Sequence, residues 1–176
     1  RKLGTAHRFV EMISRDVPLG KNVALFVDFG SYLSRGKLLS KEGGRVFGPR
    51  KRSFEHPWFK CAAALYDGNR LELEVTQYVN RKEKPKRKYT KIKEKMIEKA
   101  ALSLKLNPRI YPAPEQVAAR VRTGPLPNGV LVTRAVGRDR ALKINAVTPP
   151  ALIIHARYGK SGNEDNLFDG DKLLAL

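Results

Sequence analysis

Apolar side chains fall into short runs whose spacing changes along the chain. Residues 9–13 form a first run, Pro18, Gly20 and Asn22 supply turn chemistry, and residues 23–29 read as a buried strand. This predicts strand, turn, strand at the amino terminus. Residues 30–40 are richer in glycine and serine, with Tyr32, Leu33, Leu38 and Leu39 as anchors. The stretch 43–57 holds arginine, glycine and proline, including Pro49-Arg50-Lys51-Arg52, and is too polar to bury itself. It predicts a loop laid over a partner.

A second unit begins near Trp58. Residues 59–66, Asp67-Gly68 and residues 70–79 carry the strongest hairpin signal, because Asp-Gly suits a primed turn and Leu71, Leu73 and Val75 alternate with Glu72 and Glu74. The run 81–88 contains Pro85 and reads as a basic loop. A helix is predicted after it, capped by Thr90, with Ile92, Met96, Ile97, Ala100, Ala101 and Leu104 on one face and Asn107-Pro108 as its stop. Residues 114–123 predict a short helix opened by Pro114 and closed by Gly124, with Val117, Ala118 and Val121 inward. Residues 130–135, 141–147 and 152–156 predict strands, and a glycine-bearing acidic tail from 159 ends in Leu173, Leu174 and Leu176 as a docking point.

These elements predict an α+β protein of two small units: an amino-terminal antiparallel sheet with a short helix, and a carboxy-terminal mixed α/β unit. The expected boundaries are 1–48 for the first unit, 49–57 for a basic loop, 58–158 for the second unit and 159–176 for the tail.

Charge then narrows the function. The 176 residues carry 35 Lys and Arg against 17 Asp and Glu, a net charge of +18. So large an excess repels itself, and a polyanion that releases counterions on binding is the partner such a surface suits. The excess is uneven: residues 1–60 hold 13 basic and 5 acidic side chains, 61–123 hold 15 and 7, and 124–176 only 7 and 5. Cys61 is the single cysteine, and His7, His56 and His155 lack ligand spacing, so neither an intramolecular disulfide nor a thiolate zinc site is expected, and no cofactor. Trp58 and Cys61 read as core. No apolar stretch approaches the roughly 20 residues of a spanning helix, so no membrane partner is expected.

At Asp16-Val17-Pro18-Leu19-Gly20-Lys21 the chain resembles the ninth large-subunit ribosomal protein family, mitochondrial type. Tyr32-Leu33-Ser34-Arg35-Gly36-Lys37-Leu38-Leu39-Ser40-Lys41, followed by Gly43 or Gly44, stands where that family has its glycine-terminated rRNA-contacting element. Leu106-Asn107-Pro108 and Pro114-Glu115-Gln116-Val117-Ala118 are similar to the entry and helix of its carboxy-terminal domain. The Gly-Asp turn usual after the lysine is missing, and Gly36 and Ser40 replace asparagine and proline. The resemblance implies a structural constituent of a mitochondrial large ribosomal subunit, with rRNA and neighbouring ribosomal proteins as partners and no small-molecule substrate. A start at Arg1 without a methionine fits a removed targeting segment, which would imply an organelle, and equally a tail or an arbitrary boundary ahead of Arg1.

The expected contacts are Lys21, Tyr32, Arg35, Lys37 and Lys41 around the glycine-bearing turn. Arg45, Arg50, Lys51 and Arg52 extend them through the arm, where Phe47 or Phe54 could stack on a base. Lys84, Lys86, Arg87 and Lys88 complete the set on the second basic loop, a run that also resembles a nuclear-import address. The alternatives are another organellar ribosomal protein or a stand-alone RNA-binding accessory factor. A third, a metal-dependent nuclease of the PIN-like class, rests on Asp28 at the end of an apolar strand. That chemistry needs several converging carboxylates, whereas Glu42 and Glu55 stand isolated among cations. Asp165, Asp169 and Asp171 fail the spacing of a calcium loop. The expectation is therefore no enzyme.

Overall fold

The structure is a computed structural model that describes residues 1–43, 48–169 and 172–173. It consists mainly of antiparallel strands: β1 (Val23–Val27), β2 (Leu38–Glu42), β3 (Arg50–Ala64), β4 (Arg70–Pro85), β5 (Thr90–Lys105), β6 (Gly124–Pro125), β7 (Leu131–Arg138), β8 (Ala141–Val147), β9 (Ala151–Ala156) and β10 (Gly159–Gly162). Helix α1 (Lys2–Ile13) precedes the strands, and α2 (Pro114–Arg120) lies between β5 and β6.

All ten strands belong to one sheet, which corrects the expected pair of α+β units with a mixed α/β carboxy-terminal half. Three long strands, β3, β4 and β5, form its spine. Each outer spine strand is long enough to hold two partners end to end. β3 pairs with β1 along residues 59–63 and with β2 along 51–54. β5 pairs with β8 along 99–105 and with β9 along 92–96. The spine therefore has a proximal half, widened by β1, β8, β7 and β6, and a distal half, widened by β2, β9 and β10.

Several local expectations fail for identifiable reasons. Residues 9–13 are not a strand, because Thr5, Ala6, Phe9 and Ile13 recur at helical spacing and bury one face of α1. Residues 50–57 are not a loop. They pair with β4 throughout and with β2 along 51–54, and Pro57 is tolerated where the outer edge of β3 passes from β1 to β2. A bulge between Pro57 and Phe59 turns Trp58 and Phe59 inward together, so the inward set reads Phe54, His56, Trp58, then Phe59, Cys61, Ala63. The predicted helix over 90–104 is β5. The run 81–88 is half strand, and only residues 86–89 turn the chain.

The Asp-Gly hairpin, the short helix and the three later strands form where the pattern placed them, although α2 stops at Arg120 and Gly124 lies in β6. Gly137 is required on β7 because a Cβ there would stand 2.0 Å from the Pro114 carbonyl oxygen of α2. The expected acidic tail begins as β10, and Leu167, Phe168 and Leu173 are buried. Leu174 and Leu176 lie outside the described residues.

One face of the sheet is covered and the other is open. On the covered face α1 packs Phe9 edge-on against Phe59, with centroids 5.5 Å apart, over a core that includes Trp58, Cys61, Leu73 and Val75. A smaller distal core joins Phe54, Val79, Met96, Ala151 and Ile153. Between the two runs a single cross-strand row of buried polar side chains, His56, Gln77 and Glu98.

Candidate nucleic-acid interface

On the open face, alternate residues of the distal spine point away from the core. β4 presents Asn80, Lys82 and Lys84, β5 presents Lys95, Lys93 and Lys91, and β3 adds Ser53 and Lys51. The register sets Lys51 beside Lys82, Lys82 beside Lys93, and Lys84 beside Lys91. Neighbouring strands lie about 4.8 Å apart, and same-face residues along a strand about 6.8 Å apart. A grid of ammonium groups results, continued round the turn by Lys86, Arg87 and Lys88. Lys82, Lys84, Lys93 and Lys95 are exposed, and among the described residues no carboxylate is within ion-pair distance of them. Lys51 has one long exposed pair, to Glu42 at 3.7 Å. Tyr89 stands half-buried among Lys82, Lys84, Lys86, Lys91 and Lys93, the one aromatic ring in this grid among the described residues.

The covered face at the same height does the opposite with its charges. Arg81 donates to Glu94 at 2.8 Å and to Glu83 at 2.7 Å. Arg52 also donates to Glu83, Tyr32 donates its hydroxyl to Glu94, and His155 stands 3.5 Å from Glu94. Burial works against the Glu83 carboxylate, but its hydrogen bonds from Arg81 and Arg52 outweigh that and hold its pKa below the usual range. Burial and the neighbouring Glu94 push the Tyr32 phenol up to about 12, so it stays a donor.

The sequence-predicted contacts thus divide. Lys51, Lys84, Lys86, Arg87 and Lys88 lie together at the distal grid. Arg50 is exposed on β3 opposite Glu83. Tyr32 and Arg52 are committed to the covered-face network, and Phe54 is 2% exposed in the distal core, closed to base stacking. Lys37 pairs with Asp28 at 2.6 Å, Lys21 and Arg35 are exposed outside the strands of the grid, and Lys41 is exposed on β2 opposite Arg52, beside the pair Glu42–Lys51. Arg45, Phe47 and Gly44 lie outside the described residues. Lys82, Lys91, Lys93 and Lys95 were missed, although Lys91, Lys93 and Lys95 alternate with period two and that spacing was a legible strand signal.

Asp28 occupies a different setting from a metal ligand. Its carboxylate is held by Lys37 and by the Gly30 N–H at 2.7 Å, and its pKa falls to about 2, chiefly through the Lys37 hydrogen bond. His56, fully buried, places Nε2 3.1 Å from the same carboxylate. Among the described residues no three His, Cys, Asp or Glu side chains converge as a cation site, and no helix is long and apolar enough to cross a membrane. Trp58 and Cys61 are core, and burial raises the Cys61 thiol to about 11.

No family model, curated protein or solved structure matches the chain.

Proposed function

We propose that the chain is a nucleic-acid-binding structural protein that grips a phosphate backbone on the distal half of its open face. The observation that carries this reading is the set of directly opposed lysines, Lys51–Lys82–Lys93 and Lys84–Lys91. Like charges set opposite one another on a sheet destabilise it, whereas on the covered face of the same strands Arg52 and Arg81 are paired with Glu83 and Glu94. A surface that leaves its cations unpaired only where solvent reaches them suits a polyanion. The grid holds amines, one half-buried aromatic ring and little else, which supports reading by charge and shape over base-edge recognition.

Within that reading, we place the chain as an rRNA-binding constituent of a mitochondrial large ribosomal subunit, alongside neighbouring ribosomal proteins. This narrower assignment rests on the resemblance at residues 16–41, since a ten-stranded sheet is not the small sheet-and-helix domain the resemblance implies.

The test of the grip is a titration of single-stranded RNA over a range of salt. Replacing Lys82, Lys84, Lys93 and Lys95 with alanine should reduce the slope of log K against log salt by roughly three, at about 0.7 per lost phosphate contact. Arg35→Ala/Lys37→Ala should change it by less than half as much. An unchanged slope in the quadruple variant refutes the grid as the contact. Co-sedimentation with large ribosomal particles after a high-salt wash tests the narrower assignment, because a stand-alone accessory factor is stripped by that wash.

A further inference from the structure

The segment between α1 and β3 exposes apolar surface that the rest of the fold does not cover. Leu19, Phe26, Phe29 and Leu39 are each more than half exposed. Strand β1 lies in this segment at one edge of the sheet, and its sequence Val23-Ala24-Leu25-Phe26-Val27 holds no charge and no proline, the usual devices that stop an edge from pairing with another chain.

The hydrogen-bond phase of β1 decides what could pair there. The Asp28 N–H donates to the Trp58 carbonyl at 2.8 Å, on the same register that sets Val27 opposite Phe59. Residues 24, 26 and 28 therefore turn their backbone groups towards β3, and Val23, Leu25 and Val27 turn theirs outward. Among the described residues those outward groups have no backbone partner.

We propose that β1 is a self-pairing edge, through which two copies of the chain join antiparallel about a two-fold axis at Leu25 into one continuous sheet. The axis sets Leu25 opposite the second copy's Leu25 and Val23 opposite its Val27, so every outward backbone group of the strand finds its complement. It also sets Ala24 opposite the second copy's Phe26, in the non-hydrogen-bonded positions where side chains approach most closely. Beside Ala24 the open face is hollow: Ala24, Ala62, Ala101 and Ser103 help line a depression of about 490 Å³. The second copy's Phe26 covers that hollow, and the converse contact follows by symmetry. Small opposes large twice, and no like charges oppose each other between Asn22 and Asp28. A second copy is the partner because both the hydrogen-bond phase and the size pattern of these five residues complement themselves.

The test is sedimentation velocity on the full chain without RNA, in salt high enough to screen its charge. The wild type should sediment as a dimer and dissociate on dilution. Leu25→Pro removes an N–H that the monomer leaves unused, so it should fold and sediment as a monomer. Phe26→Lys, at a half-exposed position, should also be monomeric and guards against a folding defect in the first variant. Cys61 stands directly opposite residue 25 on β3, so the cross-linking variants carry Cys61→Ala. In that background Leu25→Cys under mild oxidation should give a covalent dimer, since paired Cα atoms about 5.5 Å apart lie within disulfide range. Ala24→Cys should not. A wild type that is monomeric at every concentration overturns the proposal, as do folded Leu25→Pro and Phe26→Lys variants that stay dimeric or equal cross-linking at positions 24 and 25. If RNA binding holds as well, the two lysine grids share one face of the dimer. The sedimentation result stands whatever the RNA titration gives.

Discussion

Lys82 on β4 stands directly opposite Lys93 on β5, on the open face, and among the described residues neither has an ion-pair partner. Lys51 flanks Lys82 from β3, so one cross-strand row holds three ammonium groups. Lys82→Glu places a carboxylate between two lysines. Thermal unfolding without RNA should show a gain of ~0.5 kcal/mol or more, as opposite charges replace like ones across the strands. RNA affinity at low salt should fall about tenfold, or ~1.4 kcal/mol. A variant that loses stability and affinity together would mark Lys82 as structural.

The acid limb of stability should come in part from His56. Burial, then the Lys2 and Lys37 charges, depress its pKa from 6.5 to about 4, against the opposing pull of Asp28. Its Nδ1 faces the Lys2 ammonium at 3.4 Å, so the neutral ring presents that lone pair to Lys2, while Nε2 stands 3.1 Å from the Asp28 carboxylate without hydrogen-bond geometry. The unfolded chain takes up a proton below pH 6.5 that the folded chain refuses until about pH 4. The stabilisation is therefore whole above 6.5 and lost as pH falls through about 4. Asp28, depressed from 3.8 to about 2, adds a lower limb with the same sign, complete above 3.8 and lost through about 2. Denaturant titrations between pH 7 and 4 should show stability falling in the wild type and a flatter course in His56→Gln.

How far this fold was legible is clearest in β5. Its inward residues are Ile92, Glu94, Met96, Glu98, Ala100, Leu102 and Leu104, a strict alternation. Two of these are glutamates, and of the five apolar residues left Ile92, Met96, Ala100 and Leu104 recur at intervals of four, which is also a helix stripe. The partners that make those glutamates tolerable inside, Arg81 with Tyr32 and Arg1, lie 13 to 97 positions away, so no local window contains the information. The bulge at Trp58 hid β3 in the same way by breaking its alternation. The Asp-Gly hairpin was legible because turn chemistry and alternation are both local. Of the interface, the charge and the turn lysines were visible. Lys91, Lys93 and Lys95 were lost with the strand that carries them.

Tyr32 and Lys93 separate support from contact. Tyr32→Phe deletes one of the donors to the Glu94 carboxylate, whose side chain is 4% exposed. A buried charge short of one partner costs ~1–3 kcal/mol. The variant should melt earlier, yet bind RNA with wild-type affinity and salt slope well below its melting temperature. Lys93→Ala should do the reverse, keeping its melting temperature and lowering the slope by about 0.7. A Tyr32→Phe variant that is fully stable but binds weakly would return Tyr32 to the RNA surface.

The buried row between the two cores depends on Arg1. Arg1 meets the fully buried Glu98 with two parallel hydrogen bonds of 3.0 and 2.8 Å and donates to the Phe168 carbonyl at 2.9 Å. Glu98 in turn accepts the Phe168 N–H at 2.7 Å, so one ion pair ties α1, β5 and the carboxy-terminal segment. Arg1→Ala leaves a carboxylate in the interior with only neutral donors, Gln77 and the Phe168 amide, a change of ~3 kcal/mol or more. Glu98→Gln removes the charge itself and lets the partly exposed guanidinium turn to solvent, so it should lose less. The double variant should be more stable than the sum of the two losses allows, because the orphaned charge that dominates the first is absent from it. Hydrogen exchange at the Phe168 amide gives a local readout. It should quicken in Arg1→Ala beyond the change in global stability, and exchange that merely tracks global unfolding would show that Arg1 does not hold the carboxy-terminal segment in place.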